Sequence, residues 1–393
     1  MSRALFVNGN LYGHMNPTLP VVRELVDRGE ELWYFCSKRF EADVLAAGAI
    51  FLDLGEEMEA FMAGYKPMGN HPFFTLLEYM IRYDEALLPQ LFSVIKSHSF
   101  DYVVYDSVLG GGYFLRNSLP IPVICSNSTF VMSKLPVPER MLVPGFHPQL
   151  DAFYEKLQTV CDQVQVPVPS AYDLFLNKGD LNLVYTSKEF NSDDDFDESY
   201  AFVGPSLTER AEDTEFPFAE IEGKRVLYIS LGTINTNHPQ FYKTCIAALK
   251  DIGRPVVLSV GRKCDMSLLG EIPDSFIVRD YVPQLDILKR ADVFISHGGF
   301  NSVSEALYFG VPVITVPMVN DQFLVAKRLE KTGAGITLQM SDVSEECIKE
   351  AVFMLLEQSK FKEASIRIGE TFRTAGGYNQ AVDRILSLVE ESL

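Results

Sequence analysis

His297-Gly298-Gly299-Phe300-Asn301-Ser302 follows the apolar run Asp292-Val293-Phe294-Ile295-Ser296 and leads into a helical pattern over residues 302–308. A short apolar run bounded by glycine reads as a buried strand. A strand that enters a glycine turn and then a helix is how open α/β sheets seat an anion, because the first N–H groups of the helix point at the ligand. Glu305 lies one turn into that helix. Gly310-Val311-Pro312 breaks it, and Asp321-Gln322 follows. The spacing predicts a diphosphate seat with polar groups placed to define what is attached to it.

Upstream and downstream of this stretch, strand and helix patterns alternate. Residues 225–231, 255–260, 276–278, 293–296 and 313–316 read as strands, and 241–250 as a helix. In the first half, 4–8, 31–36, 101–105 and 122–126 read as strands. Residues 17–28 and 40–47 read as helices, and 74–92 as a helical pattern interrupted at Pro89. Such alternation implies βαβ units and parallel sheets. Residues 128–168, rich in Pro, Met and Phe, read as a long loop region with one helix near 150–160. A boundary falls near Gly204-Pro205, followed by a polar, acidic stretch suited to a linker. The expected organisation is a domain over 1–204, a linker over 205–223, a second domain over 224–375 and a terminal helix over 376–393. Val382, Ile385, Leu386, Val389 and Leu393 share one face of that helix.

With 393 residues the chain exceeds one typical core. It is 47% hydrophobic and 22% charged, ordinary for a globular enzyme. A net charge of −19 argues against a nucleic-acid backbone or an anionic membrane as partner. No apolar stretch is long enough to predict a spanning helix, and the first residues lack a signal-peptide pattern, so a cytoplasmic protein is expected. The six cysteines are scattered without a CxxC and read as reduced thiols. The six histidines show no metal-ligand spacing, and no metal or other cofactor is expected. The acidic run Asp193-Asp194-Asp195 reads as a solvated loop.

Two sets of residues carry candidate chemistry. In the first half, the first strand runs into Gly13-His14-Met15-Asn16-Pro17. Pro17 suits the first turn of a helix, which puts His14 at or just before a helix N-terminus. The helix dipole there disfavours imidazolium, so His14 can accept a proton. Asp106 ends another strand. If the two strands are neighbours, Asp106 can orient the ring as in hydrolase triads. In the second half, the turn at Gly232-Thr233 offers N–H groups and the Thr233 hydroxyl to a phosphate. The Val282 backbone and Gln284 suit the edge of a planar base. Glu305 suits ribose hydroxyls, and Asp321 with Gln322 suits sugar hydroxyls. Taken singly, each has a plain structural reading: a Gly-Gly turn is usually a turn, and a lone His usually structural.

Together, Tyr281-Val282-Pro283-Gln284, His297 to Ser302, Glu305, Gly310-Val311-Pro312, Pro317 and Asp321-Gln322 resemble the donor signature of UDP-glycosyltransferases. The Gly13–Pro17 turn resembles that family's catalytic-base turn, and Ser230-Leu231-Gly232-Thr233 its phosphate loop. The resemblance spans nearly the whole chain and is nearest to the bacterial macrolide glycosyltransferases. It implies the GT-B fold: an α/β chain of two Rossmann-like domains facing each other across a cleft, with the last helix crossing back to the first domain. It implies His14 as general base and Asp106 as its partner. It implies a UDP-sugar co-substrate held by Gly13, Thr233, Val282, Gln284, His297, Gly299, Asn301, Ser302, Glu305, Asp321 and Gln322. The expected reaction is metal-independent transfer of a hexose, with inversion, to a hydroxyl of a small lipophilic acceptor such as a macrolide, flavonoid or other polyphenol. The acid–Gln ending favours glucose. Tyr281 stands where plant members carry Trp, which loosens the expected choice of uracil over thymine.

For the acceptor, Met58, Phe61, Met62, Met68, Phe73, Phe74, Phe130, Met132, Met141 and Phe146 read either as core packing or as a deformable apolar pocket. Met62, Phe73, Ser128, Thr129 and Phe130 are the acceptor candidates. A monomer or weak homodimer is expected. Two alternatives remain: an NDP-sugar epimerase or hydrolase of the same fold, and a non-catalytic sugar-nucleotide-binding partner subunit.

Overall fold

The computed structural model describes residues 2–9, 11–55, 66, 69, 71–108, 111–135, 137–192, 195–208, 215–232, 236–319 and 321–392. It divides into two compact units. One comprises Met1–Tyr185, Asp193–Ser206 and Ala375–Leu393; the other comprises Thr186–Ser192 and Leu207–Thr374.

The first unit is built on a seven-stranded parallel sheet. Its strands are β1 (Arg3–Val7), β2 (Glu31–Cys36), β3 (Ile50–Asp53), β4 (Tyr102–Asp106), β5 (Val123–Asn127), β6 (Leu181–Val184) and β7 (Tyr200–Phe202). The spatial order is β3-β2-β1-β4-β5-β6-β7. The order reverses between β1 and β4, where Val7 pairs with Tyr105. Helices on both faces bury the sheet, so its strands are nearly continuous apolar runs.

Two expected boundaries are corrected. The helix expected from residue 17 spans Tyr12–Asp27, with Pro17 and Pro20 inside it. Proline removes a helical donor. Side chains take up nearby carbonyls: Asn8 Nδ2 donates to the His14 carbonyl at 3.1 Å and Thr18 Oγ1 to that of Met15 at 2.8 Å. The buried face formed by Val21, Val22 and Leu25 supplies the packing that outweighs the break. The helix expected to be interrupted at Pro89 is continuous over Pro72–Ser97. Pro89 is exposed, so the carbonyl it orphans can meet water, while Leu87, Leu88 and Leu91 are buried. The helix expected near 150–160 spans Pro148–Val164.

The last helix, Gly377–Glu391, lies against Tyr12–Asp27. Ala381, Val382, Ile385 and Val389 share one core with Val21, Val22 and Leu25. Each large apolar side chain buried there contributes roughly 1.5–3 kcal/mol before entropy is counted.

The second unit has a six-stranded parallel sheet in the order β10-β9-β8-β11-β12-β13. Its strands are β8 (Val226–Ser230), β9 (Val256–Ser259), β10 (Phe276–Arg279), β11 (Ala291–Ser296), β12 (Val313–Thr315) and β13 (Gly335–Thr337). Its order reverses between β8 and β11, where Ser230 pairs with Ser296. Leu227, Ile229, Val293 and Ile295 face one core, which includes Phe241 and Val352. Tyr228 and Phe294 point to the other face, their rings stacked at 4.6 Å and nearly parallel at 7°. No described helix is long and apolar enough to cross a membrane.

Candidate active site

The β1/β4 switch point brings three side chains together. Asn8, just past β1, is buried and anchors the start of the next helix. Its Oδ1 accepts from Gly9 N at 2.7 Å, and its Nδ2 also donates to Tyr34 Oη at 3.2 Å. That fixes His14 in the first turn of Tyr12–Asp27. His14 Nδ1 lies 2.8 Å from Asp106 Oδ2 at the end of β4. Asp106 is fully buried, and the His14 side chain is 17% exposed. The second Asp106 oxygen accepts from Val108 N at 2.9 Å. An ionised carboxylate only accepts, so this pair puts the hydrogen on Nδ1 and the lone pair on Nε2. That is the tautomer a general base needs.

Ser128, just past β5, has its Oγ 2.8 Å from the same Nδ1 and is buried. Its position as an acceptor candidate rested on its place after a strand; the hydroxyl meets the imidazole. Nothing in its spacing from His14 along the chain reveals this contact. Gly13 shares the first helical turn and is exposed. Thr129 and Phe130 follow in half-buried loop. Phe74 is buried in a core cluster with Phe114, Phe153 and Leu157, and Phe73 packs against that cluster with its ring 5.0 Å from Phe175. Phe146 is exposed, and Met132 and Met141 are half-buried. Met58, Phe61, Met62 and Met68 lie outside the described residues.

The β8/β11 switch point carries a different set. Gly232 follows β8 with φ +82°, and a Cβ there would stand 2.6 Å from His297 Cε1. A Cβ on Gly299 would stand 2.4 Å from His297 Nε2. The His297 ring therefore lies against two backbones that only glycine permits this close. Burial pushes its pKa down to about 4. His297 is thus a neutral donor at pH 7 when no anion is bound. Gly299 caps the helix Phe300–Tyr308 with no side-chain hydrogen bond, and Asn301 and Ser302 occupy its first turn. Thr233 lies outside the described residues.

Around this seat, Val282 is buried and Tyr281 is 42% exposed. Gln284 opens the short helix Gln284–Leu288. Its Nε2 donates to Glu305 Oε2 at 2.5 Å, and its Oε1 accepts from Tyr228 Oη at 3.0 Å. Glu305 is buried in the second turn of its helix. Asp321 begins the helix Asp321–Thr332 and is exposed, whereas Gln322 is buried. Gln322 Oε1 accepts from Met318 N at 2.8 Å and Val319 N at 3.2 Å, tying down the turn after β12. Tyr228 is the residue that inspection of the motifs misses. It sits inside a strand, two residues before the recognisable turn.

Two parallel Rossmann-type sheets, each with its polar residues at the switch point, and a final helix returned to the first unit define a GT-B glycosyltransferase. The chain belongs to the UDP-glucoronosyl and UDP-glucosyl transferase family, whose model matches residues 208–374. The uncharacterized UDP-glucosyltransferase YojK of Bacillus subtilis (strain 168) is 36% identical, over 100% of this chain and 98% of the relative. The oleandomycin glycosyltransferase of Streptomyces antibioticus is 28% identical, over 95% of this chain and 88% of that one. The crystal structure of the calicheamicin glycosyltransferase CalG4 superposes with a TM-score of 0.86 at 26% identity, covering 99% of this chain and 98% of that one. The chain is a nucleotide-sugar-dependent glycosyltransferase, and the expected kinship with macrolide glycosyltransferases is borne out.

Proposed function

We propose that this enzyme transfers glucose from UDP-glucose, with inversion, to a hydroxyl of a small lipophilic natural product or polyphenol. The observation that carries the reading is the His14–Asp106 contact at 2.8 Å, with the carboxylate buried and the imidazole partly open. The acceptor hydroxyl gives its proton to His14 Nε2 as its oxygen bonds to the anomeric carbon. The bond from that carbon to the β-phosphate oxygen breaks, and UDP leaves with the electron pair. Attack opposite the leaving group turns an α-donor into a β-glucoside. Asp106 stabilises the imidazolium that forms.

Negative charge grows on the diphosphate as positive charge develops on the sugar. His297, Gly299, Asn301, Ser302 and the Gly232-Thr233 turn are assigned to that charge, with His297 acting as a neutral donor. Val282 and Gln284 are assigned to the base, Glu305 to the ribose, and Asp321 with Gln322 to the hexose. The lipophilic acceptor class is supported by the relatives that act on oleandomycin and calicheamicin, and by the Phe- and Met-rich segments of the first unit.

Incubation with UDP-glucose and a panel of macrolides and flavonoids, read by mass spectrometry and anomeric NMR coupling, tests this. A product heavier by one hexosyl unit, β-linked, is expected. An α-linked product overturns inversion. Release of free sugar or an epimerised donor, with no glycoside from any acceptor, overturns transfer in favour of hydrolase or epimerase chemistry.

A further inference from the structure

We propose that Tyr228 is a positioning residue for nucleotide selection, acting through Gln284 on Glu305. The proposal rests on the assignment of Glu305 to the ribose made above.

The hydrogen-bond chain has only one consistent polarity. Glu305 is buried, and its carboxylate accepts. The Gln284 group at 2.5 Å from Glu305 Oε2 must therefore be the amide nitrogen, since a carbonyl oxygen there would face a second acceptor. That orientation turns Gln284 Oε1 toward Tyr228, whose phenol donates at 3.0 Å. Reversing the amide would set its carbonyl against the carboxylate and leave the phenol to accept; in the observed orientation Tyr228 donates to the amide and the amide to the carboxylate.

Tyr228 is well suited to be the fixed end. It lies mid-strand in β8, is almost fully buried, and stacks flat on Phe294 of the neighbouring strand. Gln284 and Glu305 lie on two different helices, Gln284–Leu288 and Phe300–Tyr308. The chain thus ties both helices to the sheet. A carboxylate has about four acceptor sites, more than the Gln284 amide takes up. Gln284 donates to Glu305, so loosening the amide should be felt at the ribose 2′-hydroxyl and not at the diphosphate. That hydroxyl is what separates UDP from a 2′-deoxynucleotide, thymidine diphosphate included.

The test is calorimetric binding of UDP and 2′-deoxy-UDP to the full chain, which needs no acceptor. Wild type should prefer UDP. Tyr228→Phe keeps the stacked ring and removes only the hydroxyl, so it should narrow the preference for UDP over 2′-deoxy-UDP by about three- to tenfold, the value of one lost hydrogen bond, while any weakening of the Gln284 contact to the base falls on both nucleotides alike. Glu305→Ala should abolish the preference altogether. A merely structural role for Tyr228 lowers both affinities equally and overturns the proposal. If Glu305→Ala removes the preference while Tyr228→Phe retains it in full, the relay fails and the ribose assignment stands. If wild type shows no preference, the ribose assignment itself fails and takes the relay with it.

Discussion

At the first switch point Val7 pairs with Tyr105, and at or just past the strand ends stand a histidine, a buried aspartate and a serine. At the second, Ser230 pairs with Ser296, and beyond them stand Gly232, His297, Gly298 and a helix N-terminus. The backbones are alike and the side chains opposed. His14 has a carboxylate against its ring, which holds Nδ1–H and leaves Nε2 as the acceptor. His297 lies against two glycine backbones with Ser296 Oγ 3.5 Å from its Nδ1, and burial of the ring disfavours protonation. The same residue type is thereby fitted to be a base in one unit and a neutral donor to an anion in the other.

His14→Ala breaks the first half of this comparison most directly. Turnover should fall about 10²–10⁴-fold with UDP affinity unchanged; steady-state rates beside calorimetric UDP binding check it, and undiminished turnover removes His14 from its role. Asp106→Asn sharpens the point. An amide can donate to Nδ1 and stabilise the wrong tautomer, so turnover should fall by about 10²–10⁴-fold while the His14 side chain stays in place. Gly232→Ala attacks the second switch point. It combines a positive φ with a 2.6 Å approach to His297, so thermal unfolding should reveal a loss of about 1–3 kcal/mol, with weaker UDP binding.

The contrast in charge has a pH signature. The folded His297 refuses a proton that the unfolded chain accepts near pH 6.5. Its contribution is therefore present above that pH and lost as pH falls toward about 4, by about 3 kcal/mol at most. In a series of melts across that window, His297→Asn should fall less steeply than wild type; parallel curves would show that His297 is not the group responsible. Gln322→Ala is the mildest change. It should cut discrimination between UDP-glucose and other UDP-hexoses by about two- to tenfold while UDP itself binds nearly as before. Equal losses for UDP and UDP-glucose would show that Gln322 serves only the Met318-Val319 turn.

Much of this molecule is legible in one dimension because much of it is local. Strands such as 31–36 announce themselves as apolar runs, and the last helix as a stripe from Val382 to Val389. The glycines and the helix start at Phe300 are bound to adjacent positions by the geometry of a turn. Short strands such as β6 and β7 are not legible, because three or four residues carry too little pattern against the pull of neighbouring loops. The early start of the helix Tyr12–Asp27 is hidden for another reason. Prolines at 17 and 20 argue against it locally, and packing against the terminal helix outweighs them.

The class of fold, the placement of His14 and His297 just after strands and the order of the residues proposed for the donor were legible locally, since each depends on residues within a few positions of one another. Packing between distant segments settles that β1 lies beside β4, that Ser128 reaches the His14 imidazole, and that Tyr228, Gln284 and Glu305 form one chain of hydrogen bonds. Those contacts join residues 114, 92 and 56 positions apart in the cases of Ser128, Asp106 and Tyr228. Such contacts follow from strand order and side-chain direction, which arise only when the sheet closes over its core.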